Sequence, residues 1–196
     1  EQPQDDDDST ELEDLGGDLR IEGSGLPLPA GEEVLWCMFG TFEVDAGVQW
    51  VALQNDSPFL HHMLLKEVPD DAVWQDGEVV DCLSLPDWWS VSPTLFEAIG
   101  KDPEHPERWV DLPDGIAFMI ESGQRWVLDS HFINTSPNDA EANIAVEIGL
   151  VDPEDVLHVA GTYNHDGGDL HIPTGGLWSL EFDCTWETQV EILESG

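Results

Sequence analysis

The chain has 196 residues, 40 % of them hydrophobic and 9 of them tryptophan, enough for one sizeable core. Its 43 Asp and Glu against 5 Lys and Arg give a formal charge of −38, which argues against nucleic acid or anionic lipid as partners and favours cations. No stretch approaches the roughly 20 apolar residues of a membrane span, and three scattered cysteines without CxxC spacing argue against a cysteine metal site.

Residues 1–18, "EQPQDDDDSTELEDLGGD", are acidic and aperiodic and read as a disordered tail or tether. Nothing rigid holds the Asp5–Asp8 carboxylates together as a calcium site. The sequence opens on Glu1 with no leader-like segment, which suggests a processed or trimmed terminus. Self-repulsion at this charge density predicts a fold that is weaker at low salt.

From residue 19 onward the pattern is β, and residues 19–196 read as one domain. Val48, Trp50 and Ala52 alternate in "VQWVALQ". In "SPFLHHMLL" two histidines, His61 and His62, sit side by side within an apolar run. Neighbouring side chains of a regular strand point to opposite faces. Either one imidazole satisfies a buried hydrogen bond while the other is exposed, or the strand kinks so that both rings serve one purpose. "SPTLFEAIG", residues 92–100, has Ser and Pro at its start and Gly at its end, the order expected of a short helix. His105 lies in a Pro-flanked loop, "KDPEHPERW".

Further along, Ile116, Phe118 and Ile120 alternate in "GIAFMIES". In "RWVLDSHFIN" the more apolar face carries Trp126, Leu128, Ser130 and Phe132. His131 falls on the other face with Val127, Asp129 and Ile133, looking outward or into a shallow cleft. Ile144, Val146, Ile148 and Leu150 form the inner face of "ANIAVEIGLV", with Glu147 outward. His158 reads as a strand histidine. "YNHDGGDLHIP" reads as a hairpin that sends His165 and His171 to opposite sides. "LWSLEFDCTW" sets Trp178, Leu180, Phe182, Cys184 and Trp186 on one face. Period 2 with a wet face, punctuated by Gly/Pro clusters, predicts an all-β, antiparallel, jelly-roll-like sandwich of about eight or nine strands.

If the strand bearing His61 and His62 lies beside that of His131, three imidazoles converge. Three neutral imidazoles suit copper or zinc, and the affinity order favours copper where it is available. For both members of the doublet to reach one ion, the strand must bulge at 61–62, and bulges are common beside functional sites.

"HHMLL" followed by "GIAFMIESGQRWVLDSHFIN" resembles the N-terminal, first-copper domain of the ascorbate-dependent copper type II monooxygenases, the family of peptidylglycine α-hydroxylating monooxygenase and dopamine β-hydroxylase. "LPLPAGEEVLWCM", "LSLPDWW" and "GGLWSLEFDCTW" resemble the family's flanking segments, so that the likeness runs over roughly residues 19–186. The resemblance implies a jelly-roll-like sandwich and a copper held by His61, His62 and His131. It also implies a Cys37–Cys82 disulfide, a packing rather than ligating Met63, and a buried, unpaired Cys184 where the family bridges to its second domain. That second domain supplies a second copper through two histidines and a methionine. Here no His-x-His and no methionine follow Cys184, the only methionines being Met38, Met63 and Met119.

The likeness therefore stops at the electron-transfer half. The reading it supports is an exported copper-binding domain, secreted, periplasmic or tethered to the cell surface by its acidic tail, with a redox partner or second copper domain as its natural associate. Two other readings remain open. One is a component or fragment of a copper monooxygenase, and the other is a non-enzymatic acidic sandwich that binds a partner. The sequence contains no nucleophile elbow, no cysteine beside a histidine and no phosphate-binding glycine loop.

Overall fold

The alternating segments become strands, and the strands pair into two sheets that bury their apolar faces against each other. In the computed structural model residues 12–69, 72–86, 92–99 and 110–162 are described. The chain divides into two compact units, Glu1–Thr162 and Tyr163–Gly196, and all described residues belong to the first. His105, the 163–173 hairpin, the 177–186 strand and Cys184 lie outside the described residues.

The strands are β1 (Leu19–Leu28), β2 (Glu33–Thr41), β3 (Ala46–Asn55), β4 (Leu60–Glu67), β5 (Val79–Asp81), β6 (Thr94–Ile99), β7 (Val110–Asp111), β8 (Ile116–Ile120), β9 (Arg125–Ile133), β10 (Ala140–Val151) and β11 (His158–Val159). One sheet runs β1-β10-β3-β8-β11, with β7 also paired to β3; the other runs β5-β2-β9-β4-β6. Every pairing is antiparallel except β8 with β11.

Three strands, β5, β7 and β11, have only two or three residues. Without them, eight principal strands remain among the described residues, in the orders β1-β10-β3-β8 and β2-β9-β4-β6. The first strand lies beside the last, and the second beside the last but one. That is the double Greek key of a jelly roll, in agreement with the fold expected from the sequence.

The core between the sheets takes Leu28, Val48, Met63, Leu65, Ile120, Leu128, Phe132, Ile144 and Ile148, each at most 2 % exposed. Full burial of such a side chain stabilises by about 1.5–3 kcal/mol. A second apolar cluster forms on the outer face of the five-stranded sheet, from Cys37, Phe39, Val68, Cys82, Leu85 and Val127. The Cys37–Cys82 disulfide joins β2 to the short 3-10 turn Cys82–Ser84, with its Cα atoms 5.1 Å apart. Arg125 donates to the carbonyls of Ala72 and Trp74, tying the covering segment down.

Three expectations are corrected. Residues 94–99 of the expected helix are instead strand β6 on the edge of a sheet. The Ser-Pro start is not a helix cap: the Pro93 carbonyl accepts a hydrogen bond from Glu67 N at 2.9 Å, beginning the ladder with β4. Pairing the otherwise open edge of β4 outweighs a local preference over so short a segment.

The second correction concerns β3, whose inward residues are Val48, then Val51 and Leu53, not Val48, Trp50 and Ala52. The register against β10 slips, Gly149 facing Trp50 and Leu150 facing Val48, so the inward set moves over by one residue. Gly149 accommodates the Trp50 indole, since a Cβ there would lie 1.8 Å from Trp50 Nε1.

The third is Glu147, which is 1 % exposed rather than wet. It leaves the core face as expected, but the chain before β1 covers it. Leu15 N and Gly17 N donate to its two carboxylate oxygens at 2.8 and 2.9 Å, and Arg20 pairs with it. A buried carboxylate needs such partners.

Candidate metal centre

The three histidines singled out from the sequence meet at one place, on the outer face of the five-stranded sheet. The reason lies in strand order: β9 sits between β2 and β4. His131 on β9 pairs directly with His62 on β4 and with Leu35 on β2.

His61 joins them through a break in register. Leu60 pairs with Phe132 and His62 with His131, so two steps along β4 match one along β9. His61 is the extra residue of a β-bulge, the kink the doublet requires. Met63 and Leu65 then point into the core, 1 and 2 % exposed. Met63 is a packing residue.

The rings form a triangle. Centroids are 5.1 Å apart for His61 and His62, 4.9 Å for His61 and His131, and 4.8 Å for His62 and His131. One ring nitrogen of each lies within 4.8 Å of those of the other two, so the group can hold a metal ion. Metal–nitrogen bonds of about 2.0–2.1 Å set the nitrogens of one site roughly 3–4 Å apart, so small side-chain adjustments close the ring around an ion.

The nitrogens themselves favour a cation. His61 Nδ1 and His62 Nδ1 face each other at 3.0 Å. Two lone pairs at that distance repel unless a proton or a metal lies between them. His131 Nδ1 is buried and has no hydrogen-bond partner among the described residues, while its Nε2 lies 2.7 Å from Glu33 Oε1. An unsatisfied buried ring nitrogen is costly and calls for a partner.

Exposure is graded across the triangle. His61 is exposed, His62 half-buried and His131 8 % exposed. The site thus opens to solvent on the His61 side. Burial, with help from His131, His61 and Lys66, holds the His62 imidazole below its ordinary pKa, against the opposing pull of Asp129. A neutral ring with a free lone pair is the form a metal binds.

Beside the histidines lies a buried ion pair. Asp129 shares the outer face of β9 with His131, and Lys66 Nζ reaches its Oδ2 at 3.2 Å. Both side chains are nearly inaccessible, at 2 and 7 %. Asp129 Oδ1 is also 3.9 Å from Cys82 Sγ, so this pair joins the histidine face to the disulfide cluster.

Neither Glu33 nor Lys66 was singled out from the sequence. Asp129 precedes His131 by two residues, which period 2 places on the same face. Glu33 is brought to His131 only by the β2–β9 register, a long-range pairing that leaves no local mark. His158 is exposed on β11 and is not part of the histidine group.

No protein-family model matches the chain, and no curated protein matches it. Among the described residues no helix is long and apolar enough to cross a membrane.

Proposed function

We propose that this chain is an exported copper-binding domain that holds one ion through His61, His62 and His131. The observation that carries the reading is the convergence of three imidazoles from two strands, with a buried nitrogen of His131 lacking a hydrogen-bond partner among the described residues. The donor set supports copper. It contains no thiolate or carboxylate, and imidazole sites rank copper above zinc in affinity. Zinc, which also accepts three histidines and an open fourth position, is the alternative occupant.

When bound, copper supplies a one-electron couple. The residues' part is to hold that couple in a fixed triangle whose His61 side stays open to solvent. The resemblance of "HHMLL" and "VLDSHFIN" to the first-copper domain of ascorbate-dependent copper monooxygenases supports an electron-transfer role. On this reading the natural associate is a redox partner or a second copper domain. The disulfide supports an oxidising compartment, secreted, periplasmic or at the cell surface.

The test is titration of chelator-free protein with Cu(I), Cu(II) and Zn(II), read by metal content and melting temperature. One equivalent is expected, with copper the tighter. A ligand that binds only the native state at a hundred times its Kd adds about 2.7 kcal/mol. His131→Ala should lose this shift and His158→Ala should keep it. An unchanged melting temperature with every metal would leave an acidic sandwich without a metal role.

A further inference from the structure

We propose that Glu33 is a positioning residue for the ion at the three-histidine site, acting by fixing which nitrogen of His131 carries the proton. The inference rests on the metal-binding reading above and adds to it a residue outside the ligand set.

Glu33 opens β2, and Leu35, two residues on, is the direct partner of His131. Residues two apart on a strand share a face, so Glu33 is the diagonal neighbour of His131 across the β2–β9 ladder. Its Oε1 lies 2.7 Å from His131 Nε2. An ionised carboxylate only accepts hydrogen bonds, so the neutral ring must place its proton on Nε2. The lone pair is then on Nδ1, the buried nitrogen without a partner among the described residues. The bond made on one side of the ring leaves the other side ready for a cation.

Little stabilisation of the fold is expected from this contact. The Glu33 side chain is 61 % exposed, and exposed ion pairs contribute little. What the contact does is directional. A carboxylate on the outer nitrogen of a metal-binding imidazole fixes ring orientation and raises the basicity of the inner nitrogen. It also places negative charge near the ion, which favours the more oxidised state of a redox-active metal. Glu32, the adjacent carboxylate, has no such bond to the ring and offers a charge-matched control.

The experiment compares wild type, Glu33→Gln and Glu32→Gln. Imidazole nitrogen NMR on the metal-free proteins reads the His131 tautomer. Titration with Cu(II) and Zn(II) reads affinity, and voltammetry of the copper forms reads potential. In wild type and Glu32→Gln, His131 should carry its proton on Nε2. Glu33→Gln should populate both tautomers, lose roughly 10–100-fold in metal affinity and raise the copper potential, with an unchanged melting temperature when metal-free. If wild type binds metal but Glu33→Gln matches Glu32→Gln in tautomer, affinity and potential, the role of Glu33 is wrong and the metal site stands. If wild type binds no metal, the metal-binding reading fails and the inference fails with it.

Discussion

His62 and His131 are direct partners across the β4–β9 ladder, their ring centroids 4.8 Å apart on a face that also carries the Lys66–Asp129 pair. The pairing fixes two of three candidate ligands by backbone hydrogen bonds rather than by flexible loops. The third, His61, depends on the bulge alone. Several consequences are measurable.

Acidification should weaken the metal-free protein through His62. Burial holds its pKa below the ordinary value. The unfolded chain therefore binds this proton more readily than the native state, and stability falls as pH drops below about 6.5. Above that value the ring is neutral in both the folded and the unfolded chain, and the effect vanishes. Metal affinity should fall in the same window, because protons compete for the ligand nitrogens. Melting temperatures between about pH 5 and 8 should fall more steeply with acid in metal-free wild type than in His62→Gln. Equal slopes would count against the buried, neutral ring.

The Lys66–Asp129 pair should be costly to break and cheap to replace. Removing one partner leaves an uncompensated buried charge, at about 3–5 kcal/mol. Urea unfolding of Lys66→Met or Asp129→Leu should show losses of that order, and the double variant should recover most of them. A loss below about 1 kcal/mol for each single variant, the range of an exposed pair, would place the pair in solvent.

The disulfide closes a loop with a sequence separation of 45. Chain entropy alone puts its contribution at about 4 kcal/mol. Replacing Cys37 and Cys82 together by Ala should lower unfolding stability by several kcal/mol and loosen the cluster that covers the outer face beside Asp129. Proteolysis between Pro69 and Leu85 should accelerate. Unchanged stability would mean that the bridge is absent in solution.

Salt should stabilise this chain. Each described cation, Arg20, Lys66 and Arg125, is already engaged with a carboxylate or with backbone carbonyls. The remaining surface charge is mostly negative and repels itself. Raising ionic strength from about 0.1 to 1 M shortens the screening length from roughly 10 to 3 Å. The melting temperature should climb across that range, and a flat or falling profile would contradict the argument.

Much of this was legible in local patterns, for definable reasons. β9 and β10 could be read because each keeps its inner residues at strict period 2, from Trp126 to Phe132 and from Ile144 to Leu150. The doublet was legible because two adjacent histidines in a strand demand either a bulge or an accident. What failed depended on neighbours far along the chain. β6 is a strand because β4 needs a partner on that edge. Glu147 is buried because residues 15, 17 and 20 fold over it. Trp50 changed faces because one ladder slips beside Gly149. Glu33 met His131 only through the register of two strands about a hundred positions apart.

The most direct test is anomalous diffraction from crystals of this chain grown with one equivalent of Cu(II), and separately of Zn(II). A single strong peak is expected at about 2 Å from one nitrogen each of His61, His62 and His131, with the Glu33 carboxylate still on the far nitrogen of His131. A peak elsewhere, or none at that triangle, would contradict the three-histidine site.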